Sequence, residues 1–211
     1  MKLTFEQVKS DLATLPAGYK TADVDKLIKK YVKMCADTSL LRPFVLSHQE
    51  LHRIYYYVPL KQMKDVEDRI AFIHENLLFE NWWHTDELIN FVADLDFEVA
   101  LRYARGYIQS SDPFIKRWGY VLFITKLGRG CDARLLPLMQ NDDHYYVQMA
   151  EAWLICELAI FEPEYVYDWL AECKLKYNIT GKAVQKVCDS FRMSNEWKDK
   201  FKSLRKKLKE I

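Results

Sequence analysis

The hydrophobic positions of the chain recur at helical spacing. One apolar stripe has its members three or four residues apart, which places them on one face of an α-helix: Val147, Ala150, Leu154, Leu158 and Phe161. No segment shows the alternation of apolar and polar residues, bounded by turn residues, that is typical of a half-buried strand. The pattern therefore predicts an all-α fold.

Helix-start signals recur along the chain. Thr4 with Gln7 and Ser47 with Glu50 have capping-box spacing, in which a side-chain oxygen accepts a backbone N–H three residues on. In two places an acidic residue precedes a proline, at Asp112-Pro113 and Glu162-Pro163. Each proline would occupy the first turn of a helix, where a backbone N–H has no partner within the helix and its absence costs nothing. We expect a helix to begin at each of these four places.

The predicted helix starts indicate a repeat of helical pairs. First helices begin at steps of 33, 34 and 32 residues, near Lys64, Phe97, Cys131 and Pro163. A second helix follows each of them, near His84, Pro113, Asp143 and Thr180. Two helices in about 33 to 45 residues is the size of tetratricopeptide and HEAT-type units, which stack into a continuous core with a concave face. The tetratricopeptide glycine and tyrosine positions are not evident, so the sequence favours a HEAT-like superhelical solenoid.

The length and composition suit one domain. The chain has 211 residues, of which 50% are hydrophobic, and a chain of this size can bury one sizeable core. We predict a single HEAT-like helical-repeat domain over residues 1–211. Residues 1–59 match the repeat less well and are predicted to be N-terminal capping helices, residues 60–193 to form the helical pairs, and residues 194–211 to form a basic C-terminal helix.

Charge is balanced overall but unevenly distributed. Lys and Arg total 31 against 30 acidic residues, so no large net charge indicates a nucleic-acid partner. Residues 176–211 nevertheless hold 11 basic and 4 acidic residues. A basic tail of this kind is typical of phosphate binding and also of an exposed terminal helix.

The sequence lacks the patterns of a disulfide frame, a zinc site, a signal peptide and a membrane span. The five cysteines are widely spaced and form no CxxC pair, which indicates reduced thiols rather than a disulfide frame or a zinc site. The N-terminus has no apolar signal core, and no apolar run approaches the roughly 18 residues of a membrane span. No metal cluster, phosphate loop or nucleophile–base pair is visible. We expect a cytoplasmic monomer that contacts no membrane and uses no metal or cofactor.

The stretch NWWHTDEL at residues 81–88 concentrates aromatic and acidic side chains. Trp82 and Asp86 are four residues apart, and so are Trp83 and Glu87, so either pair lies on one face of a helix. An aromatic face attracts a cation through its quadrupole, and a carboxylate attracts it directly. The stretch is therefore either a site for a cationic substrate or the packed start of a helix.

Three stretches resemble, in order and spacing, the AlkD-like DNA alkylation repair family. They are NWWHTDEL at 81–88, FIKRWGYVL at 114–122 and DHYYVQMAEAW at 143–153, and KAVQKVCDSFR at 182–192 is similar to the family's C-terminal helix. The resemblance covers roughly residues 45–205. It implies a HEAT-like superhelix and, in active members, a monofunctional glycosylase that excises N3- or N7-alkylated purines from duplex DNA. Such enzymes hold the lesion against aromatic side chains without flipping it into a deep pocket.

The resemblance also implies roles for individual residues. Asp86 matches the catalytic carboxylate and Trp82 the aromatic wall, and Trp83 is expected to contact the lesion. Phe114 and Arg117 match the positions of a further aromatic residue and an arginine near the lesion, although some active members have tryptophan in place of Phe114. Contacts with the DNA backbone are expected of Lys116, Tyr145, Tyr146, Gln148, Lys182, Lys186 and Arg192.

Two functions remain open from the sequence. The first is an alkylpurine DNA glycosylase that acts on duplex DNA. The second is a catalytically weak or inactive HEAT-like module that binds DNA or a protein partner. Since a grip on DNA depends on Lys and Arg, the near-neutral net charge speaks for caution about the glycosylase.

Overall fold

The computed structural model describes residues 1–125 and 132–209. The regular secondary structure in these ranges consists of helices. The α-helices are α1 (Phe5–Ala13), α2 (Thr21–Lys33), α3 (Gln49–Gln62), α4 (Val66–Glu75), α5 (Trp82–Asp86), α6 (Phe97–Ile108), α7 (Pro113–Val121), α8 (Tyr145–Phe161), α9 (Pro163–Glu172), α10 (Tyr177–Asp189) and α11 (Asn195–Lys209). Within the same ranges there is no β-strand, and a single bridge joins Lys2 to Asp37. No helix there is long and apolar enough to cross a bilayer. The prediction of an all-α fold is confirmed.

Most helices begin where the local signals place them. The Thr4 hydroxyl accepts the Gln7 N–H at 3.2 Å and caps α1. The Asp112 side chain caps α7, whose first residue is Pro113, and α9 begins at Pro163 without a side-chain cap from Glu162. These starts depend on residues within one turn of the helix end, which is why the sequence alone predicts them.

One local prediction is wrong, and one falls outside the described residues. The Ser47–Glu50 capping box does not form, because α3 begins at Gln49 and the Ser47 hydroxyl instead donates to the Phe44 carbonyl oxygen at 2.7 Å. Phe161, the last member of the predicted stripe, is exposed at the end of α8, while the other four members are buried. The helix predicted to begin near Cys131 lies outside the described residues.

The helices form two compact units, each with its own core. The first, Met1–Val92, holds α1 to α5, and in it α3 packs against both α2 and α4. Tyr31 and Tyr56 are among its largest fully buried side chains. The predicted boundary after residue 59 falls inside α3, so the capping region and the first predicted pair share a helix. The single domain over residues 1–211 stays a prediction.

The second unit, Ala93–Ile211, layers each helix on a neighbour. Here α7 packs between α6 and α8, α8 contacts α9 and α10, and α11 packs against α9 and α10. Of the predicted pairs in this unit, α6 and α7 pack against each other, whereas α9 and α10 each pack against α8 and α11. Helix α8 is central to this unit, and its first turn carries part of the candidate site.

Gly119 allows α7 to lie close against α6. A Cβ atom at Gly119 would lie 2.8 Å from Ile108 Cγ1 and 3.1 Å from the Ala104 backbone oxygen. We expect Gly119→Ala to lower the free energy of unfolding by about 1–3 kcal/mol, because the α6 backbone cannot move aside cheaply. Gly106→Ala is the matched control, since none of the described heavy atoms would lie within 4 Å of its Cβ.

The control change should raise the free energy of unfolding by about 0.5–1 kcal/mol, because alanine has a higher helix propensity than glycine. Urea unfolding followed by circular dichroism measures both effects. Equal changes in the two variants would contradict a tight α6–α7 contact at Gly119.

Candidate functional site

Helix α5 carries Trp82 and Asp86 on one face. It begins after Asn81, whose side-chain oxygen accepts the Trp82 N–H at 2.8 Å. Trp82 is 44% exposed, and Asp86, four residues further on, is half-buried. Residues at this spacing are neighbours on a helix surface. The helix therefore offers an indole to solvent with a carboxylate one turn away.

Two buried residues anchor this short helix. The Thr85 hydroxyl donates to the Trp82 carbonyl oxygen at 2.8 Å and lies 3.1 Å from Asp86 Oδ1. His84 Nδ1 accepts the Glu80 N–H at 3.0 Å. A ring nitrogen that accepts carries no proton, and burial lowers the pKa of His84 to about 4. His84 is therefore a neutral structural residue under the α5 face.

The neighbouring pair, Trp83 with Glu87, is engaged inside the first unit. The half-buried Trp83 ring packs edge-on against His84 at a centroid distance of 3.8 Å and against His52 at 5.4 Å. Glu87 Oε1 accepts a hydrogen bond from Arg53 Nη1 at 2.8 Å. Of the two alternative pairs, Trp82 with Asp86 is the one that includes an exposed side chain, that of Trp82. Trp83, expected at the lesion, is held by packing within its own unit.

Burial shifts the pKa values of the ionisable residues that pack near α5. It raises the pKa of the Glu87 carboxyl, and the Arg53 guanidinium opposes that rise. His52 is fully buried and stacks on His84 with ring centroids 4.0 Å apart. Burial, reinforced by His84 and Arg53, holds the pKa of His52 well below its ordinary value. Two neutral histidines therefore support the helix that carries Trp82 and Asp86.

In the second unit, aromatic rings gather at the start of α8. The Phe114 ring lies 5.7 Å from the rings of both His144 and Tyr146. The Tyr145 ring lies 5.3 Å from that of Tyr146 and is 56% exposed. The fold thus brings Phe114, Tyr145 and Tyr146 into one cluster because α7 and α8 pack together.

Lys116 and Arg117, the two predicted cations of α7, both bind other groups of the protein. Arg117 is 4% exposed, and its Nη1 donates to the Tyr146 backbone oxygen at 2.8 Å. Lys116 Nζ lies 2.6 Å from Asp142 Oδ2 in an ion pair. Arg117 thus holds the first turn of α8 against α7, and its contact with a lesion stays a prediction. Lys116 can reach a phosphate only by leaving Asp142.

Gln148 is buried and positions a lysine. It is 4% exposed, its Nε2 donates to the Asp142 carbonyl oxygen at 2.9 Å, and its Oε1 accepts from Lys182 Nζ at 2.8 Å. Lys182 also lies over the Tyr145 ring, 5.5 Å from its centroid. The Gln148 amide thus holds Lys182 beside Tyr145, and the contact of Gln148 with a DNA backbone stays a prediction.

Two further predicted cations contact α8 beyond Lys182: Lys186 in α10, and Arg192 in the turn after α10. Lys186 Nζ lies 5.6 Å from the centroid of the Trp153 ring. Arg192 pairs with Glu157 through its Nη2. We call Lys182, Lys186 and Arg192 the cation row. They contact Gln148, Trp153 and Glu157 respectively, which follow one another along α8 at steps of about one turn.

Some residues that shape these sites were not predicted. Arg53 holds Glu87, Asp142 holds Lys116, and Glu157 holds Arg192, across sequence separations of 34, 26 and 35 residues. No local motif pairs residues so far apart. Across residues 1–125 and 132–209, no three His, Cys, Asp or Glu side chains converge as a metal site.

Comparisons with family models, with curated proteins and with solved structures returned no match.

Proposed function

We propose that this protein is a HEAT-like DNA glycosylase of alkylation repair. It would hydrolyse the N-glycosidic bond of cationic N3- or N7-alkylated purines, such as 3-methyladenine and 7-methylguanine, in duplex DNA. The observation that carries the proposal is the outward face of α5, where exposed Trp82 precedes half-buried Asp86 by one helical turn. The resemblance of residues 81–88, 114–122 and 143–153 to the AlkD-like family supports it.

Each residue of the pair has a distinct role in this reaction. An alkylated purine is already cationic, so the C1′–N bond breaks with its electron pair leaving on the base, which departs neutral. Positive charge then develops on the deoxyribose. The Trp82 face attracts the cationic base, and the Asp86 carboxylate stabilises the cationic sugar and accepts a proton from the water that adds to C1′. No cofactor is needed for these steps.

The second unit supplies the groups proposed to grip the duplex backbone. In the cation row, Lys182 lies over the exposed Tyr145 ring and Lys186 over the Trp153 ring. Lysine and arginine side chains that neutralise phosphates release counterions, so affinity for the duplex should fall as salt rises. This grip is independent of base sequence.

A second candidate is a HEAT-like module that binds DNA or a protein without cleaving a bond. The pairing of Lys116 with Asp142 and the burial of Arg117 favour it. Both residues match ligand-contacting positions in the family resemblance, yet both are satisfied within the protein.

The test is to incubate the purified protein with methylated duplex DNA and measure free 3-methyladenine and 7-methylguanine by chromatography. Release above the protein-free control supports the glycosylase. Binding of the duplex by folded protein without any release supports the second candidate.

A further inference from the structure

Phe191 is the most exposed large apolar side chain among the described residues. It is 94% exposed, and the next, Met1, is 59% exposed. Phe191 lies in the turn between α10 and α11. Transfer of such a ring out of water is favourable, so a partner that covers it would gain affinity.

The residues around Phe191 hold its ring outward. The Ser190 hydroxyl accepts the Arg192 N–H at 3.2 Å, and the Ser190 carbonyl oxygen accepts the Met193 N–H at 3.4 Å. Met193 is buried, and the Arg192 guanidinium is paired with Glu157. Because its neighbours on the C-terminal side are anchored, the turn presents Phe191 at a defined place.

The cation row runs along α8 and ends at Arg192, the residue that follows Phe191. Lys182 lies beside Tyr145, Lys186 over Trp153, and Arg192 next to Phe191 itself. Lys182 and Lys186 are separated by roughly 6 Å along the α10 axis, given a rise of about 1.5 Å per residue. The result is a row of three cations that begins beside the exposed Tyr145 ring and ends at Arg192, which pairs with Glu157 and follows the exposed Phe191 in the chain.

The charge of this region identifies the class of partner. Residues 176–211 carry 11 basic and 4 acidic residues, which complements a polyanion. Nucleic acid combines a line of phosphates for the cations with stacked bases for an aromatic ring. A bilayer surface is usually met by a helix face with several exposed apolar side chains, whereas here one exposed ring lies next in the chain to Arg192, the last cation of the row.

We propose that Phe191 is a wedge that inserts between bases of a DNA duplex whose backbone lies along the cation row. Apolar side chains inserted in this way unstack a base step and fix the protein's position on the duplex. Phe191 is therefore a positioning residue, outside α5. This inference rests on the proposed DNA partner but not on the proposed cleavage.

The experiment compares Phe191→Ala with Tyr165→Ala, an exposed aromatic residue on α9 outside the cation row. Binding of a short fluorescein-labelled unmodified duplex is measured by anisotropy over a range of salt concentrations. Phe191→Ala should raise Kd about fivefold or more, with the salt slope unchanged because no phosphate contact is lost. Lys186→Met should instead reduce the salt slope by about one, and Tyr165→Ala should change neither.

Both aromatic variants should fold, which circular dichroism and melting temperature verify, because each removes an exposed ring. An unchanged Kd in Phe191→Ala overturns the wedge, whatever the base-release assay shows. A raised Kd without base release by the wild type keeps the wedge and removes the glycosylase. Binding to phosphatidylserine–phosphatidylcholine vesicles in place of duplex overturns the wedge by assigning the ring to a membrane.

Discussion

Replacing Asp86 with asparagine is expected to slow the release of 7-methylguanine from methylated duplex by about 100- to 1000-fold, the range seen when one stabilising group is removed from a charged transition state. Asparagine keeps the size and hydrogen-bonding shape of the side chain but has no charge to stabilise the cationic sugar. It also cannot accept the proton of the attacking water. Duplex affinity and melting temperature should stay near those of the wild type, since Asp86 lies at the end of α5 and is half-buried. Time courses of base release under single-turnover conditions measure the effect.

Glu87→Gln is the matched control, because it makes the same chemical change one residue further on. Glu87 is held by Arg53 within the first unit, so its release rate should remain near the wild-type value while its stability falls. The reverse result, with release lost in Glu87→Gln and kept in Asp86→Asn, would make Trp83 with Glu87 the functional pair. If both variants release bases as the wild type does, α5 is not the catalytic element.

Acid is expected to destabilise the first unit by about 2–3 kcal/mol through His84 alone when the pH falls from about 7 to about 4.5. The folded-state pKa of His84, about 4, lies below its ordinary value of 6.5. A depressed folded-state pKa gives stability that is present above pH 6.5 and is lost as the pH falls from 6.5 towards 4. His52 acts in the same direction, because burial lowers its pKa as well. Glu87 acts in the opposite direction, since its raised pKa favours the protonated carboxyl in the folded protein.

Urea unfolding at about pH 7 and about pH 4.5, with hydrogen exchange of the α3 and α5 amides, measures this loss in the first unit. His84→Gln keeps an oxygen that can accept the Glu80 N–H but does not titrate, so the difference between the two pH values should shrink. His74→Gln, at an exposed histidine of the first unit, is the control for the histidine-to-glutamine change itself. An equal loss in the wild type and His84→Gln would mean that His84 is not the group being protonated.

Local signals predicted where helices begin, but they did not predict which side chains the neighbouring helices bury. The cap at Thr4 and the proline starts at Pro113 and Pro163 were correct because each depends on atoms within one helical turn. The sequence predicted a lesion contact for Arg117 and a DNA-backbone contact for Gln148 without indicating their burial, and both are 4% exposed. A resemblance in residue type and spacing does not state which face of a helix is covered by a neighbour.

The sequence by itself determined the helical class, most helix starts, and the spacing that puts Trp82 and Asp86 on one face of α5. These features follow from hydrogen bonds and side-chain positions within one or two turns. The tertiary structure alone decided that Trp83 with Glu87 lies inward, and that the cation row runs along α8. It also decided that Phe191 is left in water. Such choices depend on partners 26 to 35 residues away, such as Arg53 for Glu87, whose approach is set by how helices pack.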